Sequence, residues 1–259
     1  MAATLFWIAV ALYALAGAVY LASLLGLPDR LARHAHWVLL AAFTVNMLEI
    51  GARGIAGLHP VTSVRETVGF VGWLLTGGFL LAQVRWRLDA AGAFVAPASA
   101  ALLLTARLTP ASEPTSGLGV LGRIHISLAS IGVAIFALAT ALAILYLLEE
   151  RQLKRKKLGT IVERGTALET LDRLSHRWVQ VGFPIFTVAM ITGAIWSARR
   201  SDGLRPEYAI AFFAWTAFAA LLVMRVTAGW RGRRAAILTL IGFAASLTVL
   251  GIYLVRAIW

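Results

Sequence analysis

The chain contains no cysteine and little charge. The absence of Cys from all 259 residues excludes disulfides, thiolate metal sites and thiol redox chemistry. Only 14% of the residues are charged, whereas soluble domains usually carry about 25%. Because 60% of the residues are hydrophobic and the mean hydropathy is +0.81, a water-soluble fold could not hide the apolar surface.

Several catalytic signatures are also absent. The sequence has no nucleophile–base motif, Walker loop, dinucleotide-binding glycine fingerprint or metalloprotease helix, so enzyme classes that depend on them lose support. The net charge of +12 could suggest nucleic acid, but most basic residues punctuate hydrophobic runs instead of forming a solvated basic surface. We therefore expect no nucleic-acid partner.

The apolar residues occur in blocks of about 20, the length that crosses the hydrocarbon core as a helix. We predict an all-α fold, a polytopic bundle of about eight spans that makes residues 1–259 one transmembrane domain. Pro97 lies inside the fourth span, and the sequence is compatible with either a kinked helix or a re-entrant segment there. The predicted spans are 4–27, 36–57, 67–86, 91–107, 125–148, 178–198, 207–229 and 235–255.

Basic residues set the predicted orientation. Two thirds of the lysines and arginines fall in the connections after spans one, three, five and seven. Cytoplasmic loops carry this excess in membrane proteins, so both termini are predicted to be external. The protein is then a multi-pass protein of the cytoplasmic (inner) membrane, with the lipid bilayer as its first partner.

The longest predicted cytoplasmic segment, 149–177, is basic and opens with EERQLKRKK. Apolar residues recur at helical spacing in its second half, which indicates an amphipathic helix at the membrane interface. A solvated connector and a patch that docks a partner or anionic lipid are both compatible with this pattern.

Histidines and tryptophans are the candidate site residues. His125 and His59 fall on the predicted external side, where two imidazoles among aromatic residues could ligate haem iron; solvated interfacial histidines are the alternative. Trp73 lies inside span three and Trp196 near the end of span six. Such tryptophans fit either an aromatic belt or the apolar walls around a flat macrocycle.

Charged residues also occur within the spans. Glu49 and Arg53 lie four apart on one helix face and should pair, although a functional carboxylate is the alternative. Arg65 and Glu66 begin span three, where they could cap the helix or pair.

Several strings in order resemble the membrane family that handles haem for cytochrome c assembly, the CcsA/CcmC type with its HemX-like relatives. The similar strings are GLHPVTSVRETVGFVGW, HISLASIGVAIFALA, LDRLSHRWVQVGFPIFTVAMITGAIW, RPEYAIAFFAW and GWRGRRAA. They extend from about residue 57 to 243, which is most of the chain.

The resemblance implies a protein that takes part in cytochrome c maturation as a subunit of a larger membrane assembly. It implies haem b near the external face, with His125 as the iron ligand and His59, Trp73 and Trp196 as neighbours. The chain would bind and present haem while a partner forms the covalent bond, so we expect a chaperone-like binder rather than a catalyst.

The chain also departs from the family pattern. SARRSDGLR, between Trp196 and Pro206, lacks the tryptophans of the family signature, and Val223 replaces an expected histidine. A second external histidine has no counterpart before Trp259. The alternative is therefore a haem-free, HemX-like regulatory or scaffold subunit, and a small-solute transporter is a third hypothesis.

Overall fold

Eight α-helices make up the described part of the fold. The computed structural model describes residues 1–25, 29–86, 88–110, 119–155, 166–200, 203 and 205–259. Within these residues there is no strand, and all eight helices are long and apolar enough to cross a membrane. The predicted all-α bundle of eight spans is thus confirmed. The helices are α1 (Ala2–Leu24), α2 (Asp29–Ile55), α3 (Val64–Arg85), α4 (Asp89–Leu108), α5 (Gly119–Lys154), α6 (Leu168–Arg200), α7 (Pro206–Thr227) and α8 (Arg233–Ile258).

Two helices are much longer than the spans predicted for them. α5 has 36 residues and α6 has 33, whereas about 20 suffice to cross the hydrocarbon core. Their backbone hydrogen bonding continues into polar sequence, as at Arg151 and Lys154. Helix α4 is continuous through Pro97, so this segment is one helix of 20 residues.

Close helix packing depends on small residues. A Cβ added at Gly17 would lie 2.9 Å from Pro97 Cγ, and one added at Gly92 would lie 2.8 Å from the Tyr20 ring. Small residues let membrane helices approach closely where lipid supplies no hydrophobic drive for association. These contacts fix α1 against α4.

The interior consists of two adjoining cores. The first is formed by α1 to α4 with side chains of α5 and α6, and the second by α5 to α8. Helix α5 contributes to both, and its Phe136 stacks on Phe218 with ring centroids 3.8 Å apart. Buried polar groups bond to each other, as when Thr76 Oγ1 donates to Ser99 Oγ at 2.8 Å. Helix α5 is therefore the central element of the bundle.

The basic segment 149–177 is divided between three regions. Residues 149–154 continue α5 and 168–177 open α6, while 156–165 lie outside the described residues. The interfacial amphipathic helix therefore stays a prediction. So does the external placement of both termini, because helix packing alone does not define which end meets the cytosol.

Candidate functional site

His125 lies in the first turns of α5 and faces α6. Its Nδ1 is 2.7 Å from the backbone carbonyl oxygen of Ala189. A carbonyl oxygen can only accept, so Nδ1 carries the proton and donates it. In the neutral imidazole this leaves the lone pair on Nε2, the nitrogen that is then able to bind a metal.

Gly193 is what allows this imidazole to approach α6. A Cβ at this position would lie 2.5 Å from His125 Cε1 and 2.7 Å from Nδ1, well inside van der Waals contact. The ring therefore rests directly on the helix backbone. One turn further along, the Trp196 ring has its centroid 6.0 Å from that of His125, tilted by 37°.

This donor set fits one axial ligand of haem iron. Metal-ligating histidines usually donate their second ring N–H to a carbonyl or carboxylate, which fixes both the tautomer and the ring orientation. The Ala189 carbonyl holds His125 in that way. In the described part of the chain no three His, Cys, Asp or Glu side chains form a group that could chelate a metal ion. The arrangement can offer a single imidazole to an iron that is otherwise held by its macrocycle.

The structure places the predicted neighbours of His125 differently. Trp196 lies beside it, as described above. Trp73 instead stacks against Phe43 and Phe70, with centroids 4.9 and 5.9 Å apart, between α2 and α3. Its buried Nε1 has no acceptor among the described residues. His59 is exposed on the loop between α2 and α3, and a Cβ added at Gly54 would lie 3.8 Å from its Nδ1.

A charged cluster lies where α2 ends and α3 begins. Arg53 Nη1 is 3.4 Å from Glu49 Oε1, which confirms the pair predicted from their spacing. Arg53 Nη2 also pairs with Glu66. Glu66 N in turn donates to Ser63 Oγ at 3.3 Å, so Ser63 caps the start of α3. The sequence indicated the local pair but not the link between two helices.

A second polar cluster, at the opposite ends of α5 to α8, was not predicted. The two Asp172 carboxylate oxygens accept from Arg225 at 3.1 and 2.8 Å, and Asp172 Oδ1 also accepts from the Gly232 N–H at 2.8 Å. Asp172 thus ties α6 to α7 and to the start of α8. A cavity of about 270 Å³ lies beside the pair of Asp172 and Arg225, and Tyr146 and His176 line it. The Nδ1 of His176 is buried and has no partner among the described residues.

Sequence reasoning found His125 but not the groups that hold it. Ala189 accepts the hydrogen bond through its backbone carbonyl. Every residue type has this group, so the sequence does not indicate the role. Gly193 and Trp196 are three residues apart and so share one face of α6. This spacing is the feature of the sequence that could have indicated that they act together. Their meeting with a residue 64 positions away depends on the packing of α5 on α6.

Fold and site together define a polytopic helical membrane protein that presents one oriented imidazole near one end of its bundle. The family described as Cytochrome C assembly protein matches residues 61–259. The chain therefore belongs to this family of membrane proteins of cytochrome c biogenesis.

Individual relatives agree with this assignment. The chain is 28% identical over 232 residues to the cytochrome c biogenesis protein CcsA of Guillardia theta, a match that covers 79% of this chain and 76% of the relative. It is 27% identical over 249 residues to CcsA of Gloeothece citriformis, covering 75% and 76%. CcsA of Gloeobacter violaceus is 40% identical over 98 residues, or 36% of this chain and 29% of the relative. No solved structure matches significantly. The CcsA-type resemblance is confirmed, while the HemX-like branch gains no support from these relatives.

Proposed function

We propose that this protein binds haem b at the ends of α5 and α6 and presents it for attachment to a cytochrome c. It acts as one subunit of an assembly in the cytoplasmic (inner) membrane, and another subunit forms the covalent bond. The observation that carries the proposal is the 2.7 Å hydrogen bond from His125 Nδ1 to the Ala189 carbonyl. This bond leaves Nε2 available as a ligand in a fixed direction.

Three residues have defined roles in this proposal. His125 provides the imidazole nitrogen, Gly193 keeps the ring against α6, and Trp196 adds an aromatic surface beside it. Haem bound there would supply an iron that takes an imidazole nitrogen as a ligand. The helices at the site are membrane-spanning in length and composition. They therefore give the macrocycle the apolar surroundings that suit it.

The site lies on two packed helices rather than on a loop, which also supports a ligand role. Sites on rigid elements hold a ligand more precisely than loops do. His59 lies on the loop between α2 and α3, and Trp73 lies on α3. In the proposal both are neighbours of the haem. His59 is a candidate for a second contact, because it lies on the same predicted external side as His125.

The visible absorption spectrum of the purified protein tests the proposal. The protein is extracted in detergent from haem-replete cells, and a Soret band is expected. His125→Ala should abolish the band or shift its maximum. His34→Ala is the matched control, because that exposed histidine lies on α2 at the opposite, predicted cytoplasmic end. His59→Ala examines the second contact separately.

A haem-free membrane subunit is the second candidate. The observation that favours it is the segment SARRSDGLR, which contains neither tryptophan nor histidine. The same spectrum decides between the two functions. If the parent protein shows no Soret band even after haem supplementation, the haem-binding proposal is wrong and a scaffold role is favoured. If the parent shows the band and His125→Ala retains it unchanged, haem is bound elsewhere and the assignment of His125 as its ligand is wrong.

A further inference from the structure

Three arginines converge on a cleft at the end of the first four helices. The cleft is open to solvent and comprises about 410 Å³ of space between the end of α2, the start of α3, the end of α4 and the start of α1. We call it the arginine cleft, after Arg53, Arg65 and Arg107. The carboxylates of Glu49 and Glu66 also line it, so three cations face two anions.

The positive charge in the cleft is only partly neutralised. Glu49 and Glu66 both pair with Arg53, and their side chains are 8% and 11% exposed. Arg65 and Arg107 line the same space without forming an ion pair with any described residue. Arg53 Nε is buried and likewise has no partner in the described part of the chain. The buried Arg53 Nε–H and the half-buried Arg65 guanidinium therefore favour an anionic ligand, and the exposed Arg107 adds a third cation to the cleft.

The remaining wall of the cleft is apolar. Phe6 and Phe70 line it together with aliphatic side chains of α2 and α4. Phe70 continues into the aromatic stack with Trp73 and Phe43 along the membrane-spanning part of the bundle. A ligand that fills this cleft has an anionic group at one end and apolar groups beside it.

We propose that the arginine cleft binds the phosphate of an anionic phospholipid, with the start of its acyl chains on Phe6 and Phe70. Guanidinium groups recognise phosphate through paired, charge-assisted hydrogen bonds. The cleft also lies at the ends of membrane-spanning helices, the level at which lipid headgroups are found. The proposal depends on the membrane-spanning fold and is independent of haem binding.

Native mass spectrometry of the whole protein in detergent provides the test. Phosphatidylglycerol and phosphatidylcholine are titrated as the two lipid probes, and the parent protein is expected to retain phosphatidylglycerol preferentially. Each arginine near a headgroup contributes roughly fivefold in affinity, so Arg65→Gln with Arg107→Gln should weaken phosphatidylglycerol binding by about 25-fold. The double variant should bind phosphatidylcholine as the parent does.

A matched control removes the same charge elsewhere. Arg123→Gln with Arg199→Gln neutralises two exposed arginines on the same predicted side, and phosphatidylglycerol retention should be unchanged. Equal retention of both lipids by the parent, or equal losses in the two double variants, would overturn the proposal. Inorganic phosphate is added as a competitor. Displacement of the lipid by phosphate at equal concentration would mean that a free anion is the ligand and would overturn the assignment to phospholipid.

Discussion

Gly193→Ala should displace the His125 imidazole from α6. The added methyl carbon would lie 2.5 Å from Cε1, whereas carbon atoms pack at about 3.5 to 4.0 Å, so the ring must retreat by about 1 Å. A retreat of that size stretches the 2.7 Å bond to Ala189 beyond hydrogen-bonding distance. The orientation of Nε2 then loses its support.

Two effects of Gly193→Ala destabilise the protein, and one, the higher helix propensity of alanine, stabilises it. Crowding in a packed interior costs about 1 to 3 kcal/mol, and the lost hydrogen bond costs about 1 kcal/mol. Alanine in place of glycine inside a helix returns up to about 1 kcal/mol. We expect a net destabilisation of about 1 to 3 kcal/mol, because the steric and hydrogen-bond costs exceed the gain.

Gly51→Ala is the control for this prediction. Gly51 lies inside α2, and a Cβ there would meet nothing within 4 Å, so only the propensity gain applies. Both variants are unfolded thermally in detergent and followed by intrinsic tryptophan fluorescence, and each is titrated with haem. If Gly193→Ala proves as stable as Gly51→Ala and gives the parent's Soret band, the close contact between His125 and α6 is not as described.

Three further predictions concern the second polar cluster and the topology. Asp172→Asn breaks a nearly buried bidentate pair and should lower the free energy of unfolding by about 3 kcal/mol, measured by thermal unfolding in detergent; an unchanged midpoint would contradict the pairing. Gly232→Ala should destabilise more than Gly229→Ala in the same assay, because both glycines have positive φ but only at Gly232 would a Cβ clash, 2.6 Å from a tyrosine oxygen; equal effects would mean that backbone strain alone matters. Cysteines introduced at Lys154 and Arg199 of this cysteine-free chain should react with a membrane-impermeant maleimide from opposite sides, Arg199 from the external side; labelling of both from one side would mean that α6 does not cross the membrane, and external labelling of Lys154 alone would exclude the predicted orientation.

The eight helices could be predicted because each leaves a hydrocarbon-length apolar stretch in the sequence. Their ends could not, because a helix continues for as long as its backbone hydrogen bonds persist, whatever the hydropathy. The last turns of α5 at Arg151 and Lys154 are the clearest instance. Hydropathy therefore locates the part of the helix in lipid, and the remaining turns require the structure.

Side-chain pairs also divide into those that the sequence predicts and those that require the structure. The contact between Glu49 and Arg53 follows from a four-residue spacing on one helix, so it could be predicted. The pair between Asp172 and Arg225 joins residues 53 positions apart, on α6 and α7. Such a contact depends on which helix faces pack together, and hydropathy does not specify this because lipid-facing and buried positions are both apolar.

The packing around His125 is one reason for including a partner subunit in the proposal. The contact between α5 and α6 is the most extensive between any two helices in the described part of the chain. The imidazole is thus held between the two most extensively packed helices. The other histidine on these helices, His176, lies about 25 Å along α6 from Gly193, too far to face the same iron. In the proposal, a second histidine ligand for haem held by His125 would therefore come from the exposed His59 or from another chain, which is where a partner subunit enters.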